Sequence, residues 1–490
     1  MIKKTIPLLL LFGFVYFVSC DAQTNKPNVK INEAPPEPLD HYKIDVKITD
    51  LPNQELYLAY HFGNKQYMKD TVMLDENGTG TFEGDEALDG GIYLIVFPSK
   101  KYFEFVVNNE NFSIETDTSN PMESLKIEGS LENELYLKDM AFIRKMQQKK
   151  KTLQNQQNKE GIKEKEKKEI KAELERLDEE VKAFREELIT QNNGFFYPKF
   201  LKALEDPEIP EEVKNNTADS NASFYYYRNH YFENMDFSDD RLLRTPSMHN
   251  KVVYYIDKLT PQSPDSLNKA VDVVLQRAKK NDDVFQYFTV FLLNKFAKSK
   301  VMGFDNVYVH LVENYYASGD AWWVDSTDLY RITSRAKELK PTLVGQKAPT
   351  LVLKNENDKI VAINNLPNKY TLLYFYDPDC GHCKKETPKM VKAVNEAKEK
   401  NIDIQPVAVS IDSDEEKWHK FMKEYGVDTW INLADLNYRN NFREIYDLQS
   451  TPRAFLLDSD KKIIAKRFDS NQLINILNQH EKIEQKKAGK

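Results

Sequence analysis

Two cysteines separated by two residues, Cys380 and Cys383, restrict this chain more than any other feature. They follow a run of leucines and aromatics from Thr371 to Tyr376 that reads as a buried strand, and an acidic turn, Asp377-Pro378-Asp379. The pair then opens a helical pattern. On a helix, residues three apart share a face, so the two sulfurs can approach to bonding distance. The first cysteine is expected at the helix N-terminus, where unpaired N–H groups and the macrodipole favour a thiolate. Cys380 is therefore the expected nucleophile and Cys383, one turn in, the less exposed resolving thiol. His382 can add positive charge beside the Cys380 thiolate. Asp377 and Asp379 oppose it, and Lys384 and Lys385 partly offset them.

A zinc half-site or a structural disulfide would use the same spacing. Zinc needs four ligands; the chain holds three cysteines in all, and its eight histidines show no ligand spacing. No metal and no cofactor is expected.

The surrounding residues resemble the thioredoxin superfamily, specifically the TlpA-like thiol–disulfide oxidoreductases of bacterial envelopes. Val344 to Pro349 resembles that family's lead-in segment, and Ser450-Thr451-Pro452 its cis-proline loop. The resemblance implies that Thr451 and Pro452 face the active site and bind substrate backbone. It implies that proton handling passes to Glu386, three positions after the second cysteine, or to water. Two positions depart from thioredoxin itself. Tyr374 stands where a buried Asp is usual, and Asp379 stands where a Trp precedes the first cysteine.

Around the pair, hairpin strands are expected at 350–354 and 360–363, and a helix from Cys383 through Lys398. A strand at 404–411, a helix at 415–425, strands at 454–458 and 463–468 and a final helix at 471–480 complete an α/β thioredoxin fold over 343–490. The tail from Lys482 is expected to fray.

At 490 residues the chain has room for about three domains. Its net charge of −8, with both signs intermixed, gives no reason to expect nucleic acid as a partner. Lys3, Lys4 and the apolar run Pro7 to Val18 form a signal too short to span a bilayer comfortably. The run ends in Ser19-Cys20 and resembles a bacterial lipobox, which implies a signal peptide over 1–19 and lipidation of Cys20. Residues 20–41 read as an extended, solvated tether.

From Tyr42 the period becomes two: Tyr42, Ile44, Val46 and Ile48 alternate with polar residues, as do Leu56, Leu58 and Tyr60. Turn signals at Asn77-Gly78 and Gly90-Gly91 complete the pattern of an N-terminal antiparallel β-sandwich over 42–129. An α-helical middle region over 130–342 follows. Ile170, Leu174, Leu177, Val181, Phe184 and Leu188 make an a/d seam, and Gly161 marks a bend, so 131–191 reads as a helical hairpin. Oligomerisation through the seam is the alternative. Residues 192–342 are helical and aromatic-rich; these rings are expected in a core, with a partner-binding groove as the sharper possibility.

The sequence thus points to a multidomain envelope thiol–disulfide oxidoreductase, lipid-anchored and facing the periplasm. Its expected partners are cysteines of other exported proteins, a membrane electron donor or acceptor, and the membrane itself through the anchor. A partner-binding lipoprotein with a secondary redox module, and a thiol peroxidase, are the rival readings. Peroxidases carry Thr or Ser three residues before the reactive cysteine, and Asp377 stands there.

Overall fold

The computed structural model describes residues 29–37, 39–159 and 162–488. The signal segment, Cys20 and the tether up to residue 28 lie outside the described residues. The architecture is multidomain, as expected: a β-rich N-terminal region, a helical middle and a C-terminal α/β domain.

Eight strands build the N-terminal region: β1 (Tyr42–Ile48), β2 (Glu55–Phe62), β3 (Lys65–Met73), β4 (Thr79–Gly84), β5 (Gly91–Val96), β6 (Tyr102–Val107), β7 (Phe112–Thr116) and β8 (Lys126–Glu128). They form two four-stranded sheets, ordered β4-β1-β7-β8 and β3-β2-β5-β6. β1 alternates buried and exposed along its whole length, as its period-two sequence dictates. One pair departs from the antiparallel expectation. β1 and β7 run parallel, Ile44 opposite Phe112, because the chain between them crosses the whole second sheet before returning. The Asn77-Gly78 turn needs its glycine: φ is 73°, and a Cβ there would lie 2.1 Å from the Ile48 carbonyl oxygen.

Helix α1 (Leu131–Gln157) and helix α2 (Glu164–Gln191) lie against one another. Phe142 stacks on Phe184 with centroids 3.9 Å apart. Arg185 grips the buried Asp139 through two hydrogen bonds of 3.0 and 2.9 Å. Shorter helices follow, among them α3 (Phe196–Leu204), α4 (Pro264–Ala278), α5 (Asp282–Ala297), α6 (Asp305–Leu311) and α7 (Ser326–Leu339). Their aromatic residues mostly fill one core: Phe195, Phe196, Tyr197, Tyr231, Phe232, Tyr315 and Tyr316 are all buried, whereas Phe224, Tyr225 and Trp322 remain exposed. That core takes in Ile92 and Val106 from the second sheet. The tether is not wholly solvated, because its end docks on this core. Val29 and Ile31 are buried, and the Ile31 N–H donates to Asn192 Oδ1 at 2.8 Å.

The C-terminal domain is a seven-stranded sheet ordered β10-β9-β13-β12-β11-β14-β15. Its strands are β9 (Val352–Asn355), β10 (Ile360–Ala362), β11 (Tyr370–Tyr376), β12 (Ile404–Ser410), β13 (Ile431–Ala434), β14 (Arg453–Leu457) and β15 (Ile463–Lys466). Helices α8 (Gly381–Glu399), α9 (Glu415–Tyr425) and α10 (Ser470–Ala488) pack on it. β13 has no counterpart in the sequence reading. The tail also differs: α10 continues to Ala488, where fraying from Lys482 was expected. The lead-in segment lies along the sheet edge, with Gly345 N–H donating to the Ile463 carbonyl and Ile463 N–H to the Gln346 carbonyl, both at 2.8 Å.

Candidate active site

β11 is an interior strand of the sheet, buried at every residue. It pairs with β12 (parallel) and β14 (antiparallel) along its edges, and its two faces enter separate cores, Leu372, Tyr374 and Tyr376 on one side and Leu373 and Phe375 on the other, which is why its sequence is a continuous apolar run. At its end Asp377 makes the turn: its side chain accepts from the Asp379 N–H at 2.8 Å and its carbonyl from the Cys380 N–H at 3.1 Å. Cys380 is the N-cap of α8. Its sulfur is therefore presented to the unpaired N–H groups of the first turn.

The two thiols differ sharply. Burial opposes ionisation of Cys380, but hydrogen bonds from the Cys383 N–H, the Thr451 side chain, the Cys383 thiol and the His382 N–H outweigh it, and the pKa is lowered. Cys383 is fully buried, and burial pushes its thiol up to about 12. Cys380 is only partly buried and lies 3.5 Å from the Thr451 carbonyl, to which its thiol donates.

Thr451 and Pro452 are thus brought to the cysteine pair, and the peptide between them is cis. His382 is exposed, and its imidazole makes no hydrogen bond or ion pair among the described residues. Its contribution to the sulfur comes through its backbone N–H. Glu386 lies on the α8 face turned toward α10, where its Oε1 accepts from the Ser470 N–H at 2.7 Å. It also borders a cleft of about 330 Å³ with Tyr374, Ser450, Pro452, Arg453 and Asp469. The position usually held by a buried Asp is filled by Tyr374, whose hydroxyl lies 3.1 Å from Thr387 Oγ1.

Some of the site was not readable from the sequence. The positive charge that offsets Asp379 comes chiefly from Lys417 on α9, 2.6 Å away, which holds the Asp379 carboxyl below its usual range. Lys417 lies 38 residues downstream of Asp379, and no local pattern links the two. Asp377, Asp379 and Asp412 have carboxylate oxygens within 4.8 Å of one another, the spacing of a cation site. Lys417 already places one positive charge against two of the three, lying 3.8 Å from Asp412 as well.

Comparison with known proteins follows these three regions. A thioredoxin-like family matches residues 368–463. Two domains of unknown function match upstream of it, DUF4369 at 42–136 and DUF5106 at 146–340. The thiol-disulfide oxidoreductase ResA of Bacillus subtilis is 31% identical over 120 residues, which is 24% of this chain and 64% of that protein. A domain of a possible thiol-disulfide isomerase from Cytophaga hutchinsonii is 35% identical, covering 30% of this chain and 98% of that one, with a TM-score of 0.28. A thioredoxin-like protein from Bacteroides caccae is 19% identical over 56% of this chain and 98% of that one, with a TM-score of 0.44.

Proposed function

We propose, for a chain whose C-terminal domain belongs to the thioredoxin-like thiol–disulfide oxidoreductases, that it exchanges disulfides with cysteines of other exported proteins. The observation that carries this reading is the split between the two thiols, one lowered at a helix N-cap and one raised to about 12 in the core. The Cys380 thiolate attacks a substrate disulfide and expels one substrate thiolate, leaving a mixed disulfide. Cys383 then loses its proton, to Glu386 or to water, and attacks the Cys380 sulfur. The second substrate thiolate leaves, the Cys380–Cys383 disulfide forms, and two electrons have passed to the substrate. Run in reverse, the same steps oxidise a dithiol. Thr451 and Pro452 offer backbone for the substrate strand. A membrane donor or acceptor resets the pair, and a lipid on Cys20 holds the chain at the envelope membrane, facing the periplasm.

The test is a trap. In Cys383→Ser the mixed disulfide has no resolving thiol, so substrates should accumulate on Cys380 in envelope membranes, while Cys380→Ser captures none. Adding Cys20→Ala should move the captured complexes to the soluble fraction. Alkylation at mildly acidic pH should label Cys380 first. Preferential labelling of Cys383 would overturn the role assignment, and complexes still membrane-bound after a salt wash would overturn the anchor.

A further inference from the structure

A groove of about 1120 Å³ opens beside the start of α1, and no residue of the C-terminal domain lines it. Three segments wall it. The first is one stripe of α1, Leu131, Glu134, Lys138 and Ala141, whose spacings of three and four place them on one face. The core takes another face of the same helix, with Leu135, Tyr136 and Asp139. The second wall is β8, which ends its sheet, so its outer edge pairs with no strand. The third is the stretch 33–39, which is pinned at both ends. Before it the Ile31 N–H donates to Asn192 Oδ1, and Pro35 lies so near Gly194 that a Cβ there would be 2.9 Å from its ring. Beyond it the Lys43 N–H donates to Asn111 Oδ1 at 2.7 Å. Pro35 and Pro36 fix their own φ and stiffen the wall.

The lining holds five glutamates and one lysine. Two of the glutamates are engaged: Glu134 pairs with Lys138 at 2.6 Å, and Glu110 accepts from Ser130 Oγ and the Leu131 N–H. Glu33, Glu37 and Glu128 are exposed, and their carboxylates make no ion pair or hydrogen bond among the described residues. Ile127, Leu131 and Leu137, all half-buried, supply apolar surface in the same groove. Unpaired carboxylates around apolar surface complement a ligand that is cationic and apolar at once. The volume exceeds that of ordinary small-molecule pockets, roughly 300–1,000 Å³. From Leu131 to Ala141 the α1 stripe rises about 15 Å, the reach of about five extended residues. The open edge of β8 offers backbone groups to an incoming strand. Successive side chains of a strand point to opposite faces, so one face can carry cations to the glutamates and the other apolar groups to the leucines. We propose that this groove binds an extended basic peptide segment of another protein, one whose alternate residues are apolar.

The experiment is fluorescence anisotropy of labelled six-residue peptides with the full chain. The probe alternates lysine and valine; one comparison peptide alternates glutamate and valine, another lysine and glycine. The lysine–valine peptide should bind, the glutamate–valine peptide should not, and the lysine–glycine peptide should bind more weakly. An exposed ion pair contributes about threefold, so the triple variant Glu33→Gln, Glu37→Gln, Glu128→Gln should weaken binding about thirtyfold. A control triple on the C-terminal domain, Glu356→Gln, Glu399→Gln, Glu416→Gln, removes the same charge from exposed positions and should change it little. Ala141→Tyr, at an exposed position of the stripe, fills the groove without removing a contact and should abolish binding. Cys380→Ser should bind as the parent does, so the result stands apart from the redox reading. Equal loss in the two triples, binding that survives Ala141→Tyr, or equal affinity for the lysine–glycine peptide overturns the proposal. So does a parent chain that sediments as a dimer and an Ala141→Tyr form that sediments as a monomer, which would assign the groove to a second copy.

Discussion

At the residue scale, backbone and side-chain donors together favour the Cys380 thiolate, and His382 is where the backbone share can be dissected. Its imidazole is free in solvent, while its N–H is among the groups that lower the Cys380 pKa. Stabilising the thiolate stabilises the reduced form and raises the reduction potential. His382→Pro removes that donor at a first-turn position that proline tolerates. It should lower the potential by some tens of millivolts, about 30 mV for each 1.4 kcal/mol. His382→Ala keeps the N–H and should move the potential much less. A glutathione-buffered titration of the two variants decides the matter; a larger shift in the alanine form would return the role to the imidazole. The sequence carried the pair, the helix start and the direction of the thiol asymmetry, because all three are local. It carried neither Lys417 opposite Asp379 nor the capping of α10 by Glu386, because each joins elements that meet only in the fold.

Among the elements, those whose burial repeats with a short period were legible and those at edges or junctions were not. β1 alternates and was readable. β3, on the sheet edge, is exposed at most positions and presents no pattern. β13 has four residues, one of them polar; Asn432 is buried only because its side chain donates to the Val427 and Trp430 carbonyls. The start of α1 is a junction of the same kind. Burial lifts the Glu110 carboxyl to about 7 from 4.5, outweighing the hydrogen bonds it accepts from Ser130 Oγ and from the Leu131 N–H at 2.6 Å. The folded chain then keeps a proton that the unfolded chain releases. Stability therefore falls as pH rises from about 4.5 to 7, and the penalty is in full force above 7. Glu110→Gln keeps a carbonyl acceptor for Leu131 and removes the titration. It should leave stability unchanged near pH 4 and raise it by about 1–3 kcal/mol at pH 8. Urea midpoints at the two pH values would show this; equal gains at both would mean that the carboxyl is not the titrating cause.

For the whole molecule, the junction between the helical region and the thioredoxin-like domain turns on Asp447. Its side chain is 4% exposed and is shared by two arginines. Arg335 from α7 binds it through both oxygens at 2.7 and 2.9 Å, and Arg467, just after β15, binds it at 2.8 Å. Beside this, the almost fully buried Lys466 pairs with Asp305 at the start of α6. Arg335 and Asp447 are 112 residues apart, so no reading of local pattern reaches them. Asp447 also opens the loop that brings Thr451 and Pro452 to Cys380, so the seam between domains and that loop share one carboxylate. Asp447 has a φ of 49°, a conformation that asparagine adopts readily. Asp447→Asn therefore removes the charge without straining the backbone, and it leaves two guanidinium groups short of a partner. A buried ion pair broken on one side costs roughly 3–5 kcal/mol, and the amide should recover part of that. In calorimetry the helical region and the C-terminal domain should unfold together in the parent chain and separate into two transitions in Asp447→Asn. Arg335→Lys, which keeps the charge but cannot bind through two nitrogens, should fall between them. Disulfide exchange by Cys380 should slow in the same order, because the loop bearing Pro452 loses its fixed end. A single transition that merely shifts down, with exchange unchanged, would mean that Asp447 stabilises its own domain and does not join the two.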